Sequence, residues 1–177
     1  MKKLIAALAA SVVLAASLAA CSGNTVEAPT PAPNQSQAEP AAPTQGTVAA
    51  FGGALTFPSR VKVSVAKPQV IPGGQYAYGA IEGKITVLTI TVTNGSDQPV
   101  NATLMGVPKV TYGSNGASAS IASNEAVGSS VLSTILPGET QSVKVGYGVP
   151  PAQVATVRVE VMSPNIADLP AVFKAKP

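Results

Sequence analysis

A chain of 177 residues with 11% charged and 4% aromatic side chains, and 16 each of Gly and Pro, suits a turn-rich β domain better than a helical bundle, which draws on more Glu, Lys and Leu. Its net charge of +3 falls to 9 basic against 8 acidic residues once Lys2 and Lys3 are set aside, which leaves no basic footprint for nucleic acid. Histidine is absent and cysteine occurs once, which excludes nearly all imidazole or thiolate metal sites and any Ser-His or Cys-His nucleophile pair; carboxylate-only cation sites stay open in principle, but the acids stand singly without the spacing of a calcium loop, and no cofactor is expected.

Residues 1–20, "MKKLIAALAASVVLAASLAA", place two lysines before an uncharged run of Ala, Leu, Val and Ile, the layout of an export signal. The run falls short of the ~20 apolar residues of a membrane span, and no basic cluster follows it as a stop signal. It closes on Leu18-Ala19-Ala20-Cys21, which closely resembles the lipobox of bacterial lipoprotein precursors. The resemblance implies cleavage before Cys21, acylation of its thiol, and a location in the cell envelope, lipid-anchored on the extracytoplasmic face of the membrane. A diacylglyceryl group supplies the two chains that stable attachment requires, each buried CH₂ contributing about 0.8 kcal/mol. The lone cysteine then needs no disulfide partner.

Residues 21–50 are expected to hold the acylated cysteine and a Pro/Ala/Thr-rich linker. Pro29, Pro31, Pro33, Pro40 and Pro43 stand among Ala, Thr, Gln and Ser, with little to bury against the entropy of ordering. Such a segment would act as a tether between membrane and domain.

A β domain is expected over 51–165. In "RVKVSVAK" Val61, Val63 and Val65 alternate with Lys62 and Ser64, and in "KITVLTITVTNGSDQPV" Leu88, Ile90 and Val92 alternate with Thr89, Thr91 and Thr93. "QSVKVGYG" aligns Val143, Val145 and Tyr147, and "TVRVEV" aligns Val157, Val159 and Val161. Period-two alternation of β-branched residues predicts strands with one buried face. Weaker strand signals lie at 99–105, 108–112, 117–122 and 131–136. Asn94-Gly95 and Asn115-Gly116 predict tight hairpins with positive φ, and Pro137-Gly138 and Pro150-Pro151 further reversals. Residues 166–177 are expected as a C-terminal tail.

Seven or eight short strands at this spacing predict an all-β fold: a two-sheet antiparallel immunoglobulin-like sandwich. The strand near 60–66, the long loop 68–83, "ITVLTITVTNGSDQPV", the "TYGSNG" turn and "LPGETQSVKVGYGVP" are together similar to Ig-like domains of exported Gram-positive proteins. These include a family of unknown function and the family of the mycobacterial immunoprotective extracellular antigen. The likeness covers roughly 55–163 and implies an extracytoplasmic interaction module with no catalytic residues.

Ser64-Val65-Ala66-Lys67 spells the S-x-x-K of penicillin-binding enzymes, which needs both residues on one helix face. In a strand, residues three apart point to opposite sides, so the match is expected to be coincidental. Tyr76 and Tyr78, in the Gly-rich loop, are the candidate interaction residues: they either plug one end of the sandwich or form a contact patch for an envelope or extracellular protein. The expected function is a non-catalytic interaction or structural module. The alternative is binding of a small solute or lipid in a cavity between the sheets, which an apolar pocket of several hundred Å³ would favour.

Overall fold

The computed structural model describes residues 47–128 and 131–176. The expected signal, Cys21 and nearly all of the expected linker lie outside the described residues. Thirteen strands form in the described chain. They begin with β1 (Val48–Ala50), β2 (Ala54–Thr56), β3 (Val61–Val65) and β4 (Gln69–Pro72). The long β5 (Lys84–Asn94) follows, then β6 (Val100–Asn101), β7 (Lys109–Tyr112), β8 (Ala117–Ser118) and β9 (Ser120–Ala122). β10 (Thr134–Ile135), β11 (Thr140–Gly148), β12 (Arg158–Val161) and β13 (Ala171–Lys174) complete the set.

The alternating segments build the centre. β5 pairs along one edge with β3 (Val61 opposite Asn94) and then β4 (Pro72 opposite Lys84), and along the other with β11 (Thr93 opposite Thr140). With β2 outside β3 and β9 outside β11, this makes a six-stranded sheet. The second sheet runs β1-β13-β12-β7-β8, and β6 with β10 forms a small ladder beside them. The fold is thus an all-β sandwich. Its strand pairs are antiparallel except β1 with β13, which run parallel.

Between the sheets lies one apolar core. Val61, Val63 and Val65 of β3, Leu88, Ile90 and Val92 of β5, and Val157, Val159 and Val161 before and in β12 are all buried, as the alternation predicts. The opposite face of β5 carries a second cluster. Ile85 and Val87 pack there with Ala122 and Val127 under Ile71, Ala77 and Ala80. This explains the continuous apolar start of β5: its first residues are covered on both sides, its later threonines are not.

Two boundaries differ from the sequence expectation. The stretch expected as a tail contains β13, whose Ala171, Val172 and Phe173 are buried. It sits between β12 and β1, and Phe173 is fully inside the core, so the domain runs to at least Lys174. Likewise Val48–Ala50, assigned to the linker, is the edge strand β1. The Asn94-Gly95 hairpin is also corrected. Neither residue has positive φ, and Asn94 instead ends β5 with a fully buried side chain. Its Nδ2 donates to the carbonyls of Gln98 (2.8 Å) and Ile135 (2.9 Å), while its Oδ1 accepts from the Ser96 amide and hydroxyl. The Asn115-Gly116 signal does mark a reversal: Tyr112 pairs with Ala117 around it, and Gly116 has φ 64°.

Strand directions sort the loops between two ends. The Thr47 carbonyl accepts from the Val172 amide at 2.6 Å, so the chain comes into the domain beside the loop 162–170 that precedes β13. The β2–β3 and β5–β6 turns share that end. The β7–β8 turn and the loop 73–83 follow strands running to the other.

Candidate functional site

The sheets do not fill the space between them. A cleft of about 580 Å³ lies at the flank where β11 and β9 face the 102–108 segment. Inward-facing Ile90 of β5, Val143 and Val145 of β11, and Val161 of β12 form its floor, with Met105 and Leu132 beside them. Val107, Ile121 and Val131 at its margin are 59%, 49% and 80% exposed, so the cleft opens to solvent through an apolar rim. None of its described lining residues is charged.

Its walls are held by main-chain and amide contacts. Asn101 caps the short 3-10 turn Ala102–Met105, its side chain accepting from the Thr103 amide at 3.2 Å, and the Ala102 amide donates to the Ser133 carbonyl. On the other wall, the Asn124 amide group donates to the carbonyls of Pro72 and Gly73, and its oxygen accepts from the Ala126 and Val127 amides. Asn124 therefore fastens the cleft margin to the start of the loop 73–83.

That loop carries the two tyrosines. They are 76% (Tyr76) and 74% (Tyr78) exposed, so neither plugs the sandwich. The packing role falls to Ala77 and Ala80, which cover Ile85 and Val87. Tyr78 and Ser123 exchange both main-chain hydrogen bonds, at 2.9 and 3.0 Å. Such a pair puts the two side chains on one face of the sheet. Ser123 lines the cleft, so Tyr78 extends the cleft-side face of the sheet beyond β9. The approach is close because glycine permits it. A Cβ on Gly148 would meet the Gly79 carbonyl, and one on Gly146 the Ala122 carbonyl.

Buried polar groups elsewhere serve the fold. The Tyr147 hydroxyl donates to the Pro108 carbonyl at 2.7 Å, and burial pushes its phenol far above the ordinary range. Asp168 accepts from Ser59 (2.8 Å) and Ser163 (2.7 Å) on one carboxylate oxygen. This cluster ties loop 162–170 to the β2–β3 turn and lies outside the cleft lining. Ser64 sits in β3 opposite Thr91, with buried Val65 beside it and exposed Lys67 beyond the strand, an extended geometry that separates the S-x-x-K pair. Among the described residues no group of three or more His, Cys, Asp or Glu could hold a metal ion.

No family model and no curated protein matches this chain. Solved structures do. The yjhA protein from Bacillus subtilis superposes with a TM-score of 0.58 at 12% identity, covering 72% of this chain and 99% of its own. What is shared is the fold. Two further structures align less tightly, both at 17% identity over 73% of this chain. They are an uncharacterized β-sandwich protein from Clostridium difficile 630 (TM-score 0.45, 93% of that chain) and the secreted Mycobacterium tuberculosis protein MPT63 (0.47, 96%).

The cleft was not legible as a site, since Ile90, Val143, Val145 and Val161 read in sequence as ordinary core positions. The stretches 99–105 and 131–136, which flank it, read only as weaker strand signals.

Proposed function

We propose that this protein is a non-catalytic binding module, lipid-anchored at Cys21 on the extracytoplasmic face of the cell membrane, which holds an uncharged apolar ligand in the cleft between its sheets. One observation carries the ligand reading: an interior opening of about 580 Å³ with no charged residue in its described lining. That volume falls within the roughly 300–1,000 Å³ of small-molecule sites. A charged ligand there would be desolvated without a partner, whereas an apolar one gains burial. The lipobox supports the anchor and the envelope location.

The test is binding of the uncharged apolar fluorophore N-phenyl-1-naphthylamine to the mature chain, compared with Val143→Phe/Val145→Phe, which puts bulk into the cleft. Saturable binding by the wild type and its loss in the filled variant, at an unchanged or higher unfolding temperature, is the expected result. No binding by the wild type, or equal binding by both, would defeat the proposal.

A second reading, contact with an envelope or extracellular protein, is favoured by the exposure of Tyr76 and Tyr78 on a loop fastened by Asn124 and Ser123. Crosslinking on intact cells followed by pull-down should lose a partner in Tyr76→Ala/Tyr78→Ala. Identical partners from both would remove it.

A further inference from the structure

We propose that the loop 162–170 is a second membrane contact, an apolar-tipped wedge that rests in the interfacial layer of the bilayer and orients the sandwich on it. Ile166 is 97% exposed, Leu169 71% and Met162 43%. Single exposed apolar residues are ordinary, but a group of them on one short, constrained loop is not.

The constraint is built from several hydrogen bonds. The Asp168 carboxylate, 8% exposed, accepts from Ser163 within the loop and from Ser59 across the sandwich. The Ser163 hydroxyl accepts from the Asn165 amide, the Asn165 side chain from the Ala167 amide, and the Asn165 carbonyl from the Asp168 amide. Asp168 is the only charged residue of the loop and is turned inward, leaving Ile166 and Leu169 to project without a carboxylate to desolvate. An apolar tip held in place loses less entropy on burial than a flexible one.

Position selects the bilayer as occupant. Thr47, bonded to Val172, is the first described residue, and the chain from Cys21 reaches the domain there, next to this loop. The 26 residues from Ser22 to Thr47 can extend at most about 90 Å, so an anchor at Cys21 keeps this end of the sandwich within reach of the headgroups. The β7–β8 turn lies at the far end. This inference rests on the anchoring proposed above. Anchoring supplies attachment; the wedge would supply orientation, as interfacial apolar surfaces do when seated at the acyl boundary.

The test bypasses acylation in the cell. The mature unacylated chain, with Cys21 as its only thiol, is coupled to a maleimide lipid in phosphatidylglycerol/phosphatidylethanolamine vesicles containing brominated acyl chains. The protein has no tryptophan, so Ile166→Trp and, as control, Asn115→Trp in the β7–β8 turn give clean reporters. The expected result is a blue shift and quenching of the indole emission in the Ile166→Trp chain, abolished by adding Leu169→Asp, with no change at the control. No quenching at the loop, equal quenching at both, or burial of the loop reporter only when envelope proteins are added would overturn the wedge. Fatty acid on Cys21 of the native protein is read separately by mass spectrometry, so failure of the anchor and failure of the wedge are told apart.

Discussion

The Tyr147 hydroxyl of β11 reaches across the sandwich to the carbonyl of Pro108, 39 residues away and just before β7 of the other sheet. The phenol is 1% exposed, so the hydrogen bond joins the two sheets in a dry setting next to the cleft. Removing it in Tyr147→Phe orphans one buried carbonyl and should lower stability by about 1–2 kcal/mol at neutral pH. The same residue sets an alkaline limit. Burial raises its folded pKa above the unfolded value of about 10, so its contribution is full below pH 10 and declines above it. The wild type should lose up to about 1.4 kcal/mol per pH unit beyond 10 from this group, and Tyr147→Phe should show a shallower decline. Urea unfolding at pH 7 and 11 decides it; parallel pH profiles would count against the assignment.

Asn94 closes β5 by serving four partners at once with a fully buried amide. Asn94→Ala takes the amide donor from the Ile135 carbonyl, leaves the Gln98 carbonyl only the Ser96 hydroxyl, and should cost about 3 kcal/mol. Asn94→Asp should be at least as damaging, because a carboxylate would face those two carbonyls. The measurement is the urea midpoint, expected to fall without a change in slope. A midpoint within error of wild type would show that water replaces the amide.

These two residues illustrate where the sequence was informative. Strands β3, β5, β11 and β12 declare themselves through alternation, because each buries one face and wets the other. Asn94 was visible as a turn signal, yet its role is that of a buried donor and not of a positive-φ corner, and that depends on Ile135, 41 residues on. β1 and β13 were missed for a different reason. Val48–Ala50 is only three residues, and Ala171–Phe173 is covered throughout, which erases the period-two pattern that marks a half-buried strand. The cleft escaped because a void is the absence of filling atoms, and no residue in its lining is unusual by type. The tyrosine loop was found for its composition, while its attachment through Gly148 and Ser123 is a matter of tertiary approach.

That attachment can be loosened selectively. Gly148→Ala places a methyl group against the Gly79 carbonyl, which is rigid main chain and cannot yield without shifting the loop. The expected outcome is faster hydrogen exchange at the Tyr78 amide, which donates to Ser123, with β3 amides unaffected. Uniform acceleration across the domain would show instead that the strain spreads into the sheet.

The C-terminal strand provides the sharpest contrast with a tail. Phe173 is fully buried between β1 and β12, pairing opposite Ala49 and Val159. Phe173→Ala should cost about 3–5 kcal/mol, a large fraction of the roughly 5–15 kcal/mol that stabilises a domain. Ending the chain at Pro170 goes further, since it strips β12 of one of its two neighbours, leaves β1 unpaired and exposes Val159 and Val161 to water. A dispensable tail would permit that truncation with little change. A central strand predicts an unfolded or aggregated product, and far-UV circular dichroism with urea titration of the two variants separates these outcomes, since native-like spectra and midpoints for the truncated chain would contradict the placement of β13 in the core.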